Sequence, residues 1–137
     1  MTERAFIDTG ALLALAGSRD QYHARAREIA ERHIALGGTW VGTTLVLAEL
    51  HGLLVRRASP AVARQTSWAL LNDSAYDWVD ATTDLVSTGV GSWLDRYHDQ
   101  DFTLTDAVSF EVMRRERLRR AFAFDTHFVT AGFELLS

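Results

Sequence analysis

At 137 residues and a net charge of −4, the chain has the length of one domain, 1–137, with enough apolar content to bury a real core. It contains no cysteine, which excludes disulfides and thiolate zinc sites and suits a reducing cytoplasm. All fourteen basic residues are arginine, so chemistry that needs a lysine amine, such as a Schiff base or a P-loop, is excluded as well.

In chain order, Ala5-Phe6-Ile7 reads as a buried strand that runs into Asp8-Thr9-Gly10, and Ala11–Ala16 follows at once as a helix. No basic region or long apolar stretch precedes it, so neither a signal peptide nor a membrane span is expected. Ser18-Arg19-Asp20 breaks the run. A second helix is predicted over Gln21–Leu36, with Tyr22, Ala26, Ile29, Ala30 and His33 on one face, ended by Gly37-Gly38. Thr39–Gly42 is a short strand. Thr43 or Thr44 caps a third helix reaching Arg57, and Ser59-Pro60 opens a fourth. After a turn at Asn72–Ser74, Ala75–Val79 alternates as a strand does. Thr82 or Thr83 starts a helix with the stripe Leu85, Val86, Val90, Trp93, Leu94 and Tyr97. Asp99–Asp101 is a loop, Thr103–Arg117 a helix, Ala121–Phe124 a strand and Phe133–Leu135 a last short strand. Strands alternating with helices predict an α/β fold, with a mostly parallel sheet covered on both faces.

Four carboxylates strain a purely structural account. Asp8 ends a strand, where open parallel sheets bind ligands, although it is also placed to cap the next helix. Glu49 shares a helix face with Leu45 and Leu53, an apolar stripe where an ionised carboxylate needs a partner charge or a metal. Asp106 completes a Thr103-x-x-Asp106 pattern that reads equally as a capping box. Asp125 repeats the Asp8 arrangement, an apolar strand and then Asp-Thr. All four project to one end of a parallel sheet. Four acids in one pocket repel, and a hard divalent cation with oxygen ligands, Mg²⁺ or Mn²⁺, relieves that repulsion. Such an ion polarises a phosphate oxygen and acidifies a bound water, which is the chemistry of phosphodiester hydrolysis.

Other features carry less. Met113–Arg120 holds five arginines and one glutamate, either a grip on RNA phosphates or, more simply, a solvated helix end whose cations suit the dipole. No histidine pair has the spacing of a zinc helix. His51 faces away from Glu49, and His127 reads as a loop histidine at the rim of the acidic site.

In these motifs the chain resembles the PIN-domain ribonucleases, and within them the toxins of VapBC-type toxin–antitoxin pairs. The likeness rests on Phe6–Ala11, Asp20–Ala24, Thr44–Glu49, Leu104–Ala107 and Ala123–Phe128, and it covers nearly the whole chain. It implies a three-layer α/β/α sandwich and a Mg²⁺-dependent endoribonuclease acting on RNA. It also implies a homodimer and a cognate antitoxin. Carried over by position, it implies Asp8 and Asp106 as the main metal ligands, with Glu49 and Asp125 completing the site directly or through water. Asp101 is a secondary acid, and Thr9 and Thr105 are hydroxyls that could bond the carboxylates or metal waters. The competing reading is a PIN-like module that binds RNA or protein without cutting. An aspartate phosphotransfer domain is disfavoured by the missing lysine and by Gly10 where an Asp-x-Asp motif needs its second acid.

Overall fold

The computed structural model describes residues 3–137. The elements follow the order β1 (Arg4–Ile7), α1 (Thr9–Ala16), α2 (His23–Ala35), β2 (Thr39–Thr43), α3 (Thr44–Arg57), α4 (Pro60–Leu71), β3 (Tyr76–Val79) and α5 (Thr83–Gly89). A π-helical turn (Val90–Asp95) continues α5, and α6 (Leu104–Arg115), β4 (Arg120–Phe122), α7 (His127–Thr130) and β5 (Glu134–Leu135) complete the chain. All five strands pair in parallel in the order β3-β2-β1-β4-β5. Right-handed crossovers then place α1–α4 on one face and α5–α7 on the other, which gives the three-layer α/β/α arrangement.

That order fixes where a ligand can sit. The chain leaves β1 toward β2 and β3, then returns to add β4 and β5 on the other side of β1. The switch point is the β1–β4 pair, where Phe6 stands beside Ala121 and Ile7 beside Phe122. Parallel sheets open a crevice at the carboxyl ends of such strands. Asp8 is the next residue along, its amide donating to the Phe122 carbonyl at 3.0 Å.

The core beneath is aromatic. Phe6, Trp40, Phe110, Phe122 and Phe128 are fully buried or nearly so, and Phe110 meets Phe128 edge-on with ring centres 5.0 Å apart. Helix starts are capped as their residue types dictate. The hydroxyls of Thr43, Ser59 and Thr82 accept from the amides of Val46, Val62 and Leu85, and Pro60 opens α4 where its missing N–H costs nothing.

Several boundaries differ from the sequence expectation. Helix α2 starts at His23, and Tyr22 is not on its buried face but 43% exposed. Strand β4 stops at Phe122, so Ala123 and Phe124 lead out of the sheet toward Asp125. Helix α6 ends at Arg115, because Arg117 turns left-handed at φ 56° and the Leu118 amide bonds back to the Met113 carbonyl at 2.8 Å, a helix-terminating geometry. The single helix expected through Tyr97 widens into the π-helical turn, from which the Trp93 indole reaches Glu111 at 3.1 Å. Helix α7 is four residues long, too short to leave a periodic signal.

Candidate metal centre

Asp8 occupies the N-cap position of α1 in extended backbone, yet its side chain makes no capping hydrogen bond. The cap reading therefore fails, and the carboxylate is left to the crevice with only 6% of the residue exposed. Burial pushes its carboxyl up to about 7, and Asp125, Asp106 and Glu49 add to that against the opposing pull of the Thr9 amide. Desolvation plus like charge is the signature of acids brought together without a cation.

For Asp106 both sequence readings hold at once. It completes a capping box with Thr103, whose hydroxyl accepts from the Asp106 amide at 3.1 Å while the Thr103 amide donates to Asp106 Oδ2 at 3.0 Å. His127 Nδ1 lies 2.8 Å from the same Oδ2. One oxygen is thus fixed by two groups, and Oδ1 has no hydrogen bond to the described residues. Asp125 is held through its own turn, Oδ1 accepting from the His127 amide at 3.0 Å. Its carboxyl is raised by burial and by Asp106, against the His127 amide and ring.

His127 corrects the reading of a loop histidine at the rim. It begins α7 and sits inside the cluster, its ring between Asp106 at 2.8 Å and Asp101 at 3.3 Å. Burial opposes its protonation, but the charges of Asp106, Asp125 and Asp101, with the bond to Asp106, win and raise its pKa. Ligating atoms of Asp106, Asp125 and His127 all lie within 4.8 Å of one another, a compact set of the kind that holds a metal ion.

Glu49 needs a second correction. The buried face of α3 is Val46, Leu50 and Leu54, so the Leu45–Glu49–Leu53 stripe lies on the flank and Glu49 is exposed. It does not need a partner to survive burial. It nevertheless lines the pocket of about 440 Å³ that also contains Asp8, Asp106, Asp125 and His127. Thr9 lines it too, and its Oγ1 is buried with no hydrogen-bond partner among the described residues. Thr103 lines the pocket and Thr105 does not. Asp101 reaches the cluster only through His127, and its side chain is 93% exposed. Asp20 is a pocket acid to which the sequence reading assigned no role.

The donor set suits a hard divalent ion. It offers carboxylate oxygens with unused lone pairs, one imidazole and an orphaned hydroxyl, in a pocket already overloaded with negative charge. All five arginines of the 113–120 run are exposed, as expected of a solvated helix end, and two of them, Arg114 and Arg115, also fold back onto Glu111, whose side chain is fully buried.

Comparison with known proteins identifies the family. The PIN domain family model matches residues 5–134. The chain is 30% identical over 128 residues to the 23S rRNA-specific endonuclease VapC20 of Mycobacterium tuberculosis, spanning 93% of this chain and 94% of that protein. The crystal structure of VapC20, described as a sarcin–ricin loop cleaving toxin, superposes with a TM-score of 0.84 at 29% identity, over 94% and 95% of the two chains. FitAcB of Neisseria gonorrhoeae, at 12% identity and a TM-score of 0.68 over 100% and 97% of the chains, shares the fold. With its carboxylates gathered at the switch point of a parallel sheet and its length matched nearly end to end, the chain belongs to the PIN-domain family.

Proposed function

We propose that this protein is a divalent-metal-dependent endoribonuclease, the toxin of a type II toxin–antitoxin pair. The observation that carries the reading is the group of carboxylates at the β1–β4 crevice, with no arginine among the described residues that line it, where burial first and the neighbouring acids second push Asp8 up to about 7. Structural acids are not normally left in that state. The activity named for VapC20 supports the same conclusion at 30% identity over most of both chains. A cognate antitoxin and a homodimer are part of the proposal. No helix is long and apolar enough to cross a membrane among the described residues.

In this reading Asp8 and Asp106 hold Mg²⁺ or Mn²⁺ directly, and Glu49 and Asp125 complete the shell directly or through water. When bound, the ion acidifies a water and offsets charge on the phosphate. The chain's own residues supply the positioning. Thr103 and His127 lock Asp106 Oδ2, so Oδ1 is presented to the pocket without rotamer search. The turn at Asp125 does the same for that carboxylate. Thr9 Oγ1 supplies a hydroxyl to a water or phosphate oxygen in the pocket. Hydrolysis then adds water across one P–O bond, and the departing ribose oxygen takes the proton.

The test is cleavage of RNA by purified protein with Mg²⁺ or Mn²⁺, with EDTA, and with Asp8→Asn. The target named for VapC20, 23S rRNA, is the first substrate to try. We expect metal-dependent cutting that falls at least about a thousandfold in Asp8→Asn, the several kcal/mol that a correctly held ion supplies. A folded protein that neither cuts RNA nor binds Mn²⁺ would be a non-catalytic interaction module.

A further inference from the structure

The pocket that gathers the carboxylates is open on one side, and the opening is furnished. Tyr22 and Phe124 stand in its wall, stacked with ring centres 4.6 Å apart and planes 7° from parallel. Both come from loops next to regular structure. Phe124 lies in the stretch between β4 and Asp125, and Tyr22 immediately precedes α2. The Tyr22 amide donates to Asp20 Oδ1 at 2.8 Å, which fixes the ring's attachment to the loop. Despite the stack behind it, Tyr22 keeps 43% of its surface in solvent. A large ring stacked on a second ring, partly exposed and in the wall of the pocket that holds the carboxylates, is suited to stack a nucleobase.

The same opening leads on to cations. Leu13 and Asp20 line both the pocket and a second hollow of about 410 Å³, whose wall carries Arg19 and Arg57. Among the described residues neither guanidinium has an ion-pair partner, so both are available to phosphates in the hollow they line. A pocket of carboxylates repels the RNA backbone on either side of the cut, so a strand held there needs cations beyond the acids.

We propose that this groove carries the RNA strand flanking the scissile phosphate, with Tyr22 stacked on the adjoining base and Arg19 and Arg57 on phosphates farther along. The assignment rests on the nuclease reading above, and it deepens that reading by naming residues that bind substrate without touching the metal. Base stacking is tolerant of sequence, so Tyr22 sets how tightly and in what register the strand lies, not which base is present.

The experiment measures binding of a fluorescein-labelled single-stranded RNA in EDTA at several salt concentrations, alongside Mg²⁺-dependent cleavage and thermal melting. The variants are Tyr22→Ala, Tyr22→Leu, Tyr22→Phe and the pair Arg19→Ala with Arg57→Ala. Tyr22→Ala should weaken binding roughly tenfold to a hundredfold. Tyr22→Leu should do the same while keeping an apolar contact to Phe124, and Tyr22→Phe should bind as wild type. The arginine pair should lower the slope of log K against log salt by about 1.4, the value for two single-strand phosphates. Wild-type binding and slope in Tyr22→Leu and in the arginine pair, with wild-type cleavage intact, would overturn the groove and leave the nuclease standing. A folded wild type that neither binds nor cuts RNA would overturn the nuclease reading and the groove with it.

Discussion

Helix α6 carries two buried carboxylates that meet opposite fates. Glu111, in the middle of the helix, has a fully buried side chain. Burial pushes its carboxyl up, but hydrogen bonds from Arg114, Arg115 and Trp93 outweigh that and hold it at about 2. Asp106, at the first turn, is 7% exposed and shares its surroundings with Asp8, Asp125 and Glu49. The charge on Glu111 is neutralised from within the chain. Among the described residues that line the crevice, His127 is the one basic side chain, beside the acids Asp8, Glu49, Asp106 and Asp125. Burial of an acid therefore says little about function, and the absence of an internal counter-charge says a great deal.

The largest effect on folding should come from breaking the neutralised site. Glu111→Ala removes the acceptor of two guanidinium groups and the Trp93 N–H, and it opens a cavity in the α5–α6 layer. The expected loss is about 3–5 kcal/mol, read by urea or thermal unfolding at pH 7. The pH dependence has a definite sign. The folded pKa of Glu111 lies below its ordinary value of 4.5, at about 2, so its contribution is complete above about 4.5 and disappears as pH falls toward 2. Glu111→Ala should show a flatter acid limb over that window. A variant that unfolds in acid as wild type does would mean that Glu111 is not the group being neutralised.

The crevice should respond in the opposite direction. Asp8 is raised from 3.8 to about 7, so in metal-free protein its contribution is complete below about 4 and is lost as pH rises through 7. Asp8→Asn removes that loss. The metal-free variant should be more stable than wild type above pH 7 by about 2–4 kcal/mol, even though its cleavage activity is gone. Adding Mn²⁺ should raise the melting temperature of wild type and leave Asp8→Asn nearly unmoved, because an ion stabilises only the state that binds it. Equal melting temperatures for the two proteins in EDTA at pH 8 would remove the charge-repulsion account of the site.

The same contrast separates what the amino-acid sequence encodes locally from what only packing decides. The strand–helix alternation was legible because short apolar runs end at residues that start helices, as at Thr43, and because a capping residue and proline separate one helix from the next at Ser59-Pro60. The acids at strand ends were legible for the same reason, since Asp8 and Asp125 each interrupt an apolar run. Their surroundings were not. Glu49 reads as buried because Leu45 and Leu53 share its stripe, and only tertiary packing reveals that Val46, Leu50 and Leu54 face the core instead. His127 reads as a bystander because its partner Asp106 is 21 residues away in sequence. The role of Arg114 and Arg115 was hidden because a basic run at a helix end has a sufficient local explanation in the dipole. Glu111 has no signal at all, since one glutamate in a helix is ordinary until its burial is known.

The smallest effect should be at Asp101, and it is informative because it tests whether an acid near the site is part of it. Asp101 Oδ1 lies 3.3 Å from His127 Nε2, and its side chain is 93% exposed. In water a pair of that kind contributes little, about 0–1 kcal/mol, and salt screens it. His127 is already held on its other nitrogen by Asp106 at 2.8 Å and through its amide by Asp125. Asp101→Asn keeps the shape of the side chain and removes only the charge. Cleavage should fall by less than about threefold, a change below 1 kcal/mol, and the remaining difference should vanish in high salt. A loss comparable to that of Asp8→Asn would instead place Asp101 in the metal shell. It would also mean that the exposed loop carrying it closes over the pocket when the ion is bound.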